Sequence, residues 1–373
     1  MTEIRTRAGH RAIVLDPVAV DEAGLAAWRD LADRAAEPNP FFRPEFLLAS
    51  VVERHVPAEL LVVIDDDRWL ACLPVQRRPA NLRFPLPTLA AVTDLYSFSG
   101  TPLLDRDAVD AAADGLLQLV RAERGAAVLM IGIFETSGVV GTAMTRAAER
   151  AGTPFREHSS FARAGWWRSA EPHVPGPGFT GHDRRQMLRR AKRMSAQLGG
   201  EITIVDRTTD PAAWEAFLAM ENTGWKADRG TALASTQRDA AFFRRMCAGL
   251  SRTGQFELLA LQVGDHTVAM ESSLIDGTSL FAYKIAFDPQ YQEFSPGTIL
   301  KYRLIERLEA SPMTMGDSCA APDNAHMNRL WPDQRVMRTL VLPTGSPLGA
   351  LLRPLLAARA VGRRVRDVVR RRR

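Results

Sequence analysis

The stretch FAYKIAFDPQYQEFSPGTILKYRLIERL, residues 281–308, decides how the chain is read. Its first part, with the residues just before it, predicts a strand over 278–288. Asp288-Pro289 ends that strand, and an irregular connection leads to Pro296-Gly297-Thr298, where a helix over 297–309 begins. A glycine at that mouth is either punctuation or an opening for something anionic. The first N–H groups of a helix have no internal partner and carry partial positive charge, and glycine lets a ligand approach the backbone closely.

Upstream, ELLALQVGDHTVAMESSLI (257–275) reads as a hairpin, and so does ELLVVIDDDRWLACLPVQR (59–77). At an offset of 198 residues the two align without a gap, Glu59-Leu60-Leu61 over Glu257-Leu258-Leu259 and Ala71 over Ala269. The elements after each hairpin come in a matching order. The first half continues with a helix (107–123), the strand 126–134 and a helix (138–151). The second continues with the helix 297–309, the strand 313–319, a helix around 323–331 and the strand 335–342. This is a duplicated α/β unit. The copies differ: Leu73 stands where the second has Glu271, and Pro102 and an acidic stretch come after Ser99-Gly100-Thr101 in the first. The first copy reads as structural and the second as the one with chemistry. The expected division is a domain over 1–165, a Pro/Gly-rich linker over 166–182, a catalytic domain over 183–345 and a tail over 346–373.

Bulk composition sets limits. With 46% hydrophobic and 24% charged residues the chain is an ordinary globular mix, and 373 residues exceed one ordinary core. Residues 353–373 hold nine arginines against one aspartate, a net +8, so of the total +5 the rest carries −3. The basic character is a tail, which weighs against a nucleic-acid-binding body. Cys72, Cys247 and Cys319 form no C-x-x-C pair, which argues for a reducing compartment and against a disulfide framework or a zinc site. With no apolar leader and no spanning run, the expected location is cytoplasmic, with peripheral attachment to the inner face of the membrane as a further expectation.

The turn Asp276-Gly277 predicts a register in which Glu271 faces Ala282 and lies diagonal to Lys284 on one sheet face. Glu271 and Lys284 there either flank a substrate or form an ion pair on a solvated face. Asp317 ends an apolar strand, where it either caps the turn or enters an active site. His326 is either a base or a surface cap. Cys319 lacks the partners of a thiol nucleophile and reads as a small buried residue.

The order hairpin, strand, glycine turn, helix, strand resembles the coenzyme A site of the GNAT acyltransferase superfamily. Tyr283-Lys284-Ile285-Ala286-Phe287-Asp288 followed by Ser295-Pro296-Gly297 resembles the group called CelD-like acetyltransferases, related to FemAB enzymes with two tandem GNAT-like domains. Gly224-Trp225-Lys226 with Gly230-Thr231-Ala232, and Asp317-Ser318-Cys319-Ala320 with Pro322-Asp323, His326 and Arg329-Leu330-Trp331, fit the same group. The resemblance spans about 180–345. It implies an α+β fold of two such domains, each a mixed, mostly antiparallel sheet flanked by helices.

It also implies an N-acyltransferase using acetyl-CoA or another acyl-CoA and no metal. Ile285, Ala286 and Phe287 would hold the pantetheine arm and polarise the thioester; Ser295, Gly297, Thr298 and Ile299 would hold the pyrophosphate. Glu271, Lys284, Asp317 and His326 are the catalytic candidates, and Trp225 and Lys226 would line the pocket of an amine acceptor, an amino sugar or envelope precursor. The sequence departs from the superfamily in lacking the Q/R-x-x-G-x-G/A loop, and the tyrosine acid of many members has no match.

Two other readings stand beside this one. A FemAB-type transferase would use aminoacyl-tRNA, although no long heptad insert for a coiled-coil arm is present. A catalytically inactive docking protein would use the tail, whose Leu348, Leu351, Leu352, Leu355, Leu356, Val361, Val365, Val368 and Val369 alternate with arginines. That pattern suits an anionic membrane surface or an acidic partner, or a helix docked on its own protein. The basic helix 183–199 reads as a solvated face or as a site for coenzyme A phosphates or RNA.

Overall fold

The computed structural model describes residues 2–82, 84–169, 176, 178–223, 230 and 232–357. The first half contains β1 (Glu3–Arg5), β2 (Arg11–Leu15), α1 (Glu22–Asp33), α2 (Pro44–Arg54), β3 (Glu59–Asp65), β4 (Arg68–Arg78), β5 (Thr88–Ala91) and β6 (Leu103–Leu104). It ends with α3 (Val109–Ala122), β7 (Val128–Phe134), α4 (Val139–Arg150) and β8 (Arg156–Trp167). The second half contains α5 (Gly181–Leu198), β9 (Ile202–Asp206), α6 (Pro211–Glu221), α7 (Gln237–Arg252), β10 (Phe256–Val263), β11 (His266–Asp276) and β12 (Ser279–Phe287). It closes with α8 (Pro296–Ala310), β13 (Met315–Asp317), α9 (Ala325–Leu330) and β14 (Asp333–Pro343). The start of the expected linker, Trp166-Trp167, is the end of a strand, and Trp166 is fully buried. No helix among the described residues is long and apolar enough to cross a membrane.

Contacts divide the chain into two compact units that are not consecutive stretches. One comprises 1–42, 57–161 and 337–373; the other comprises 43–56 and 162–336. Against the division read from the sequence, α2 is counted with the second unit and the end of β14 with the first. In the first unit the strands run β1-β2-β3-β4-β5-β7-β14, with β6 on β4; in the second they run β8-β13-β12-β11-β10-β9.

The duplication holds at the level of single hydrogen-bonded pairs. Leu61 faces Leu73 in β3/β4 and Leu259 faces Glu271 in β10/β11, the same 198 offset. Each hairpin shifts register at the equivalent place, after Val63↔Ala71 and after Leu261↔Ala269. In both units the hairpin is followed by one parallel pair, β5 with β7 and β12 with β13. Both units are α+β, each a mixed, mostly antiparallel sheet flanked by helices.

The register of the hairpin β11/β12 differs from the expected one. The two-residue loop is Gly277-Thr278, with Gly277 at φ 58°, so Asp276 pairs with Ser279. A bulge then makes Tyr283 the extra residue: Ser273 faces Ala282, and Ser272 faces Lys284. Glu271 consequently faces Ile285, and Lys284 lies on the opposite face of the sheet. Glu271, Ala282 and Ile285 point toward α5 and α8, among Ala269, Leu280, Ile299, Leu300 and Ile305. Tyr283 turns to the other side, where its ring meets Phe46 of α2 edge-on at 6.0 Å.

The first turns of the tail fold back on their own unit. Leu352, Leu355 and Leu356 pack with Phe84, Leu86, Val128 and Val341, so these apolar residues are already buried in part. The arginine-rich remainder, 358–373, lies outside the described residues.

Candidate active site

The mouth of α8 is built by three local devices. Asp288 caps the single-turn segment Pro289–Phe294 by accepting from Gln290 N at 2.9 Å. Ser295 adopts the left-handed conformation (φ 54°, ψ 55°), which turns the chain into the helix. Pro296 then occupies the first helical position, where its missing N–H costs nothing. Ser295 makes no side-chain cap; instead its hydroxyl accepts from the guanidinium of Arg190, on α5, at 2.7 Å. A cation therefore stands beside the positive end of the helix.

Gly297 is not required by the fold. Its φ is not positive, and a Cβ there would lie 3.6 Å from Ile285 Cδ1 and from Phe287 Cδ1, an ordinary contact. The neighbouring strand supplies the second wall. β13 pairs only with Ser279–Phe281 of β12, so that ladder ends six residues before β12 does at Phe287. Ile285, Ala286 and Phe287 thus run past the end of the ladder toward the mouth of α8.

Below that mouth lies a charge that the sequence reading missed. Lys301, one turn past Gly297, is 4% exposed and donates to Glu271, which is 1% exposed. Lys301 sits in a helix face otherwise made of Ile299, Leu300, Leu304 and Ile305, and a lone lysine within such an apolar run was the available signal. His326, on α9, reaches the same helix: its Nε2 is 3.5 Å from Thr298 Oγ1. The imidazole keeps solvent access, yet burial of the ring, then the cations of Lys301 and Arg329, holds its pKa below the ordinary value.

The other candidates are placed elsewhere. Asp317 is fully buried and paired with two guanidiniums, Arg163 at 2.5 Å and Arg335; its second oxygen accepts from Cys319 N at 2.8 Å. Burial alone would raise its pKa, but Arg163 and Arg335 outweigh it and hold the carboxylate below its usual range. A carboxylate so engaged is a poor proton acceptor. The Cys319 thiol is pushed up by burial and then by the Asp317 charge, so it carries no thiolate. Lys284 is half-buried on the face away from Glu271. Trp225 and Lys226 lie outside the described residues. No group of three or more His, Cys, Asp or Glu among the described residues is placed to hold a metal. Two open clefts of the first unit, about 680 and 730 Å³, contain none of these residues.

The equivalent helix start in the first unit is surrounded by paired carboxylates. There α3 is preceded by Asp105, fully buried and paired with Arg34 and, at 2.8 Å, with Arg68. Asp107 and Asp110 lie within the same turn. The Asp105 carboxylate also accepts from Asp107 N at 3.1 Å, and the N-cap residue of α3, Ala108, makes no side-chain cap.

Residues 182–325 match the family model described as an acetyltransferase (GNAT) domain. No curated protein matches the sequence. Among solved structures, the chain is similar to the C-terminal domain of a protein described as a lysylphosphatidylglycerol synthetase from Agrobacterium fabrum. The TM-score is 0.53 at 12% identity, over 88% of this chain and 94% of that one. It is also similar to a conserved protein of unknown function from Bacteroides thetaiotaomicron, with TM-score 0.51, 13% identity and coverage of 86% and 97%. A structure of FemX gives a TM-score of 0.49 at 13% identity, over 88% of this chain and 98% of that one. At such identities the likeness is one of fold.

Proposed function

We propose that the chain is an acyl-CoA-dependent N-acyltransferase of the CelD-like kind, working through its second unit on an amine acceptor such as an amino sugar or envelope precursor. One observation carries the reading: α8 opens on a glycine that its own fold does not need, beside a strand that outruns its partner. A Cβ would narrow that surface, and a phosphate oxygen approaching the N–H of Gly297 is what the missing Cβ admits, while the N–H groups of Thr298 and Ile299 already donate to the Ser295 carbonyl at 3.0 and 3.3 Å. Arg190 adds a positive charge at the same edge. Acyl-CoA supplies an activated thioester when bound.

The chain's own residues supply position and proton transfer. Backbone amides of Ile285, Ala286 and Phe287 would polarise the thioester carbonyl. His326, held neutral, takes a proton from the acceptor ammonium. The amine nitrogen then bonds to the acyl carbon, the C–S bond breaks, and the thiolate leaves with the electron pair and takes up a proton.

Calorimetric titration with acetyl-CoA and longer acyl-CoAs tests the reading. Micromolar binding is expected in the wild-type protein and is expected to vanish in Gly297→Glu. His326→Ala should keep binding and lose about 10²- to 10⁴-fold in turnover. If the wild-type protein binds no acyl-CoA, the reading is wrong, and aminoacyl-tRNA donors become the next substrates to assay.

A further inference from the structure

The turn that joins β1 to β2 is fixed on α3 in a way that leaves a cation unused. Thr6 N donates to His10 O at 2.8 Å and Gly9 N to Thr6 O at 2.9 Å, while Arg7 N donates to Gln118 Oε1 of α3 at 2.8 Å. The Arg7 guanidinium itself makes no hydrogen bond or ion pair among the described residues. It lines the cleft of about 680 Å³ together with Arg5 of β1, Arg121 of α3 and Arg150 of α4. The one carboxylate in that lining, Asp114, is taken up by Arg150 at 3.0 Å. Arg5 and Arg121 each donate to a main-chain carbonyl, of Gly9 at 2.9 Å and of Ala151. A carbonyl accepts a hydrogen bond without cancelling the charge. Glu3, two residues before Arg5, is held by Arg11 at 2.8 Å. Arg5, Arg7 and Arg121 are thus three uncompensated guanidiniums on one cleft.

Bulk composition does not produce this. Residues 1–352 carry a net −3, and the cleft of about 730 Å³ in the same unit is lined by Asp16, Asp21, Asp66 and Asp67 against Arg11 alone.

We infer that the arginine-lined cleft is a binding site for a small soluble compound bearing two or more phosphate charges. The donors' origins select phosphate over carboxylate. A planar carboxylate is satisfied by one guanidinium fork, whereas a phosphate presents three acceptor oxygens and takes donors from several sides. Here Arg5 and Arg7 come from the end of β1 and the turn after it, and Arg121 from the last turn of α3. The lining between them includes Ala8, Ala111, Ala147 and Ala151, whose small side chains leave room, and the volume is that of a small-molecule site. Because Gln118 already holds the turn, Arg7 needs little ordering when a ligand arrives. The cleft shares no residue with the glycine mouth of α8, so the inference does not rest on the acyltransferase reading.

The test is an NMR titration of the full-length protein with inorganic tripolyphosphate, read at the amides of residues 6–9 and 118–122. Saturable shifts are expected there, whatever the arginine-rich tail binds elsewhere. Arg7→Glu, at a side chain with no contact to lose, should raise the Kd read at these amides about 10-fold or more. Arg185→Glu, an exposed arginine of α5, should leave it unchanged. Citrate, with carboxylates of similar total charge, should bind more weakly than tripolyphosphate. Wild-type amides that do not shift overturn the proposal without any variant. An unchanged Kd in Arg7→Glu, or an equal loss in Arg185→Glu, overturns it as a site, and citrate binding as tightly overturns the assignment to phosphate.

Discussion

Leu73 and Glu271 stand at the same place in two copies of one hairpin, and that single exchange separates a core position from a charged one. In the second copy the carboxylate is tolerated because Lys301 meets it. Asp317 shows the other use of a buried carboxylate. Between Arg163 and Arg335 it neutralises one of two guanidiniums and anchors the turn at Cys319. Asp317→Asn removes the carboxylate that Arg163 and Arg335 share, and breaking a buried pair of this kind costs about 3–5 kcal/mol. The pH dependence comes from the lowered folded pKa. The stabilisation is present above the unfolded carboxylate value, about 3.9, and is lost as pH falls through the lower folded value. Urea denaturation across that range should show the wild-type protein losing its advantage over the asparagine variant in acid. Equal midpoints at neutral pH would show that the cluster does not hold the fold.

Among the elements, the two helix mouths carry the contrast between the copies. Both α3 and α8 follow a hairpin and a strand and precede a strand parallel to it, so topology gives each a place for an anion. The first is preceded in the chain by Asp105 and Asp107 and has Asp110 in its first turn, whereas the second opens on Gly297. The expected stoichiometry of acyl-CoA is therefore one per chain, read directly from the calorimetric isotherm. A value near two would mean that the acidic residues around the start of α3 do not keep the anion out. The bulge at Tyr283 is the other decision taken by an element. By adding one residue to β12 it sends Lys284 away from Glu271 and brings Ile285 and Phe287 alongside Gly297.

For the whole molecule, the feature to test is that each compact unit takes segments from both sides of the Pro/Gly-rich stretch at 170–177. Residues 178–373 expressed alone would lack α2 and the end of β8, and residues 1–169 would lack the end of β14. Neither fragment is expected to fold by itself, whereas co-expression should restore soluble protein; circular dichroism of 178–373 alone would show it, and a cooperative melt there would contradict the division. The sequence by itself determined the duplication, the hairpins, the helix at 296–310 and the place of its glycine, because apolar periodicity and turn residues are local signals. The helix 296–310 was even read to within a residue of each end. Only the tertiary structure decided that Glu271 turns from Lys284 to Lys301, that Asp317 lies between Arg163 and Arg335, and that α2 belongs with the second unit. A one-residue bulge reverses every side chain beyond it, and partners 30 or 154 positions apart in the chain meet only when strands and helices pack. Neither leaves a periodic mark in the sequence.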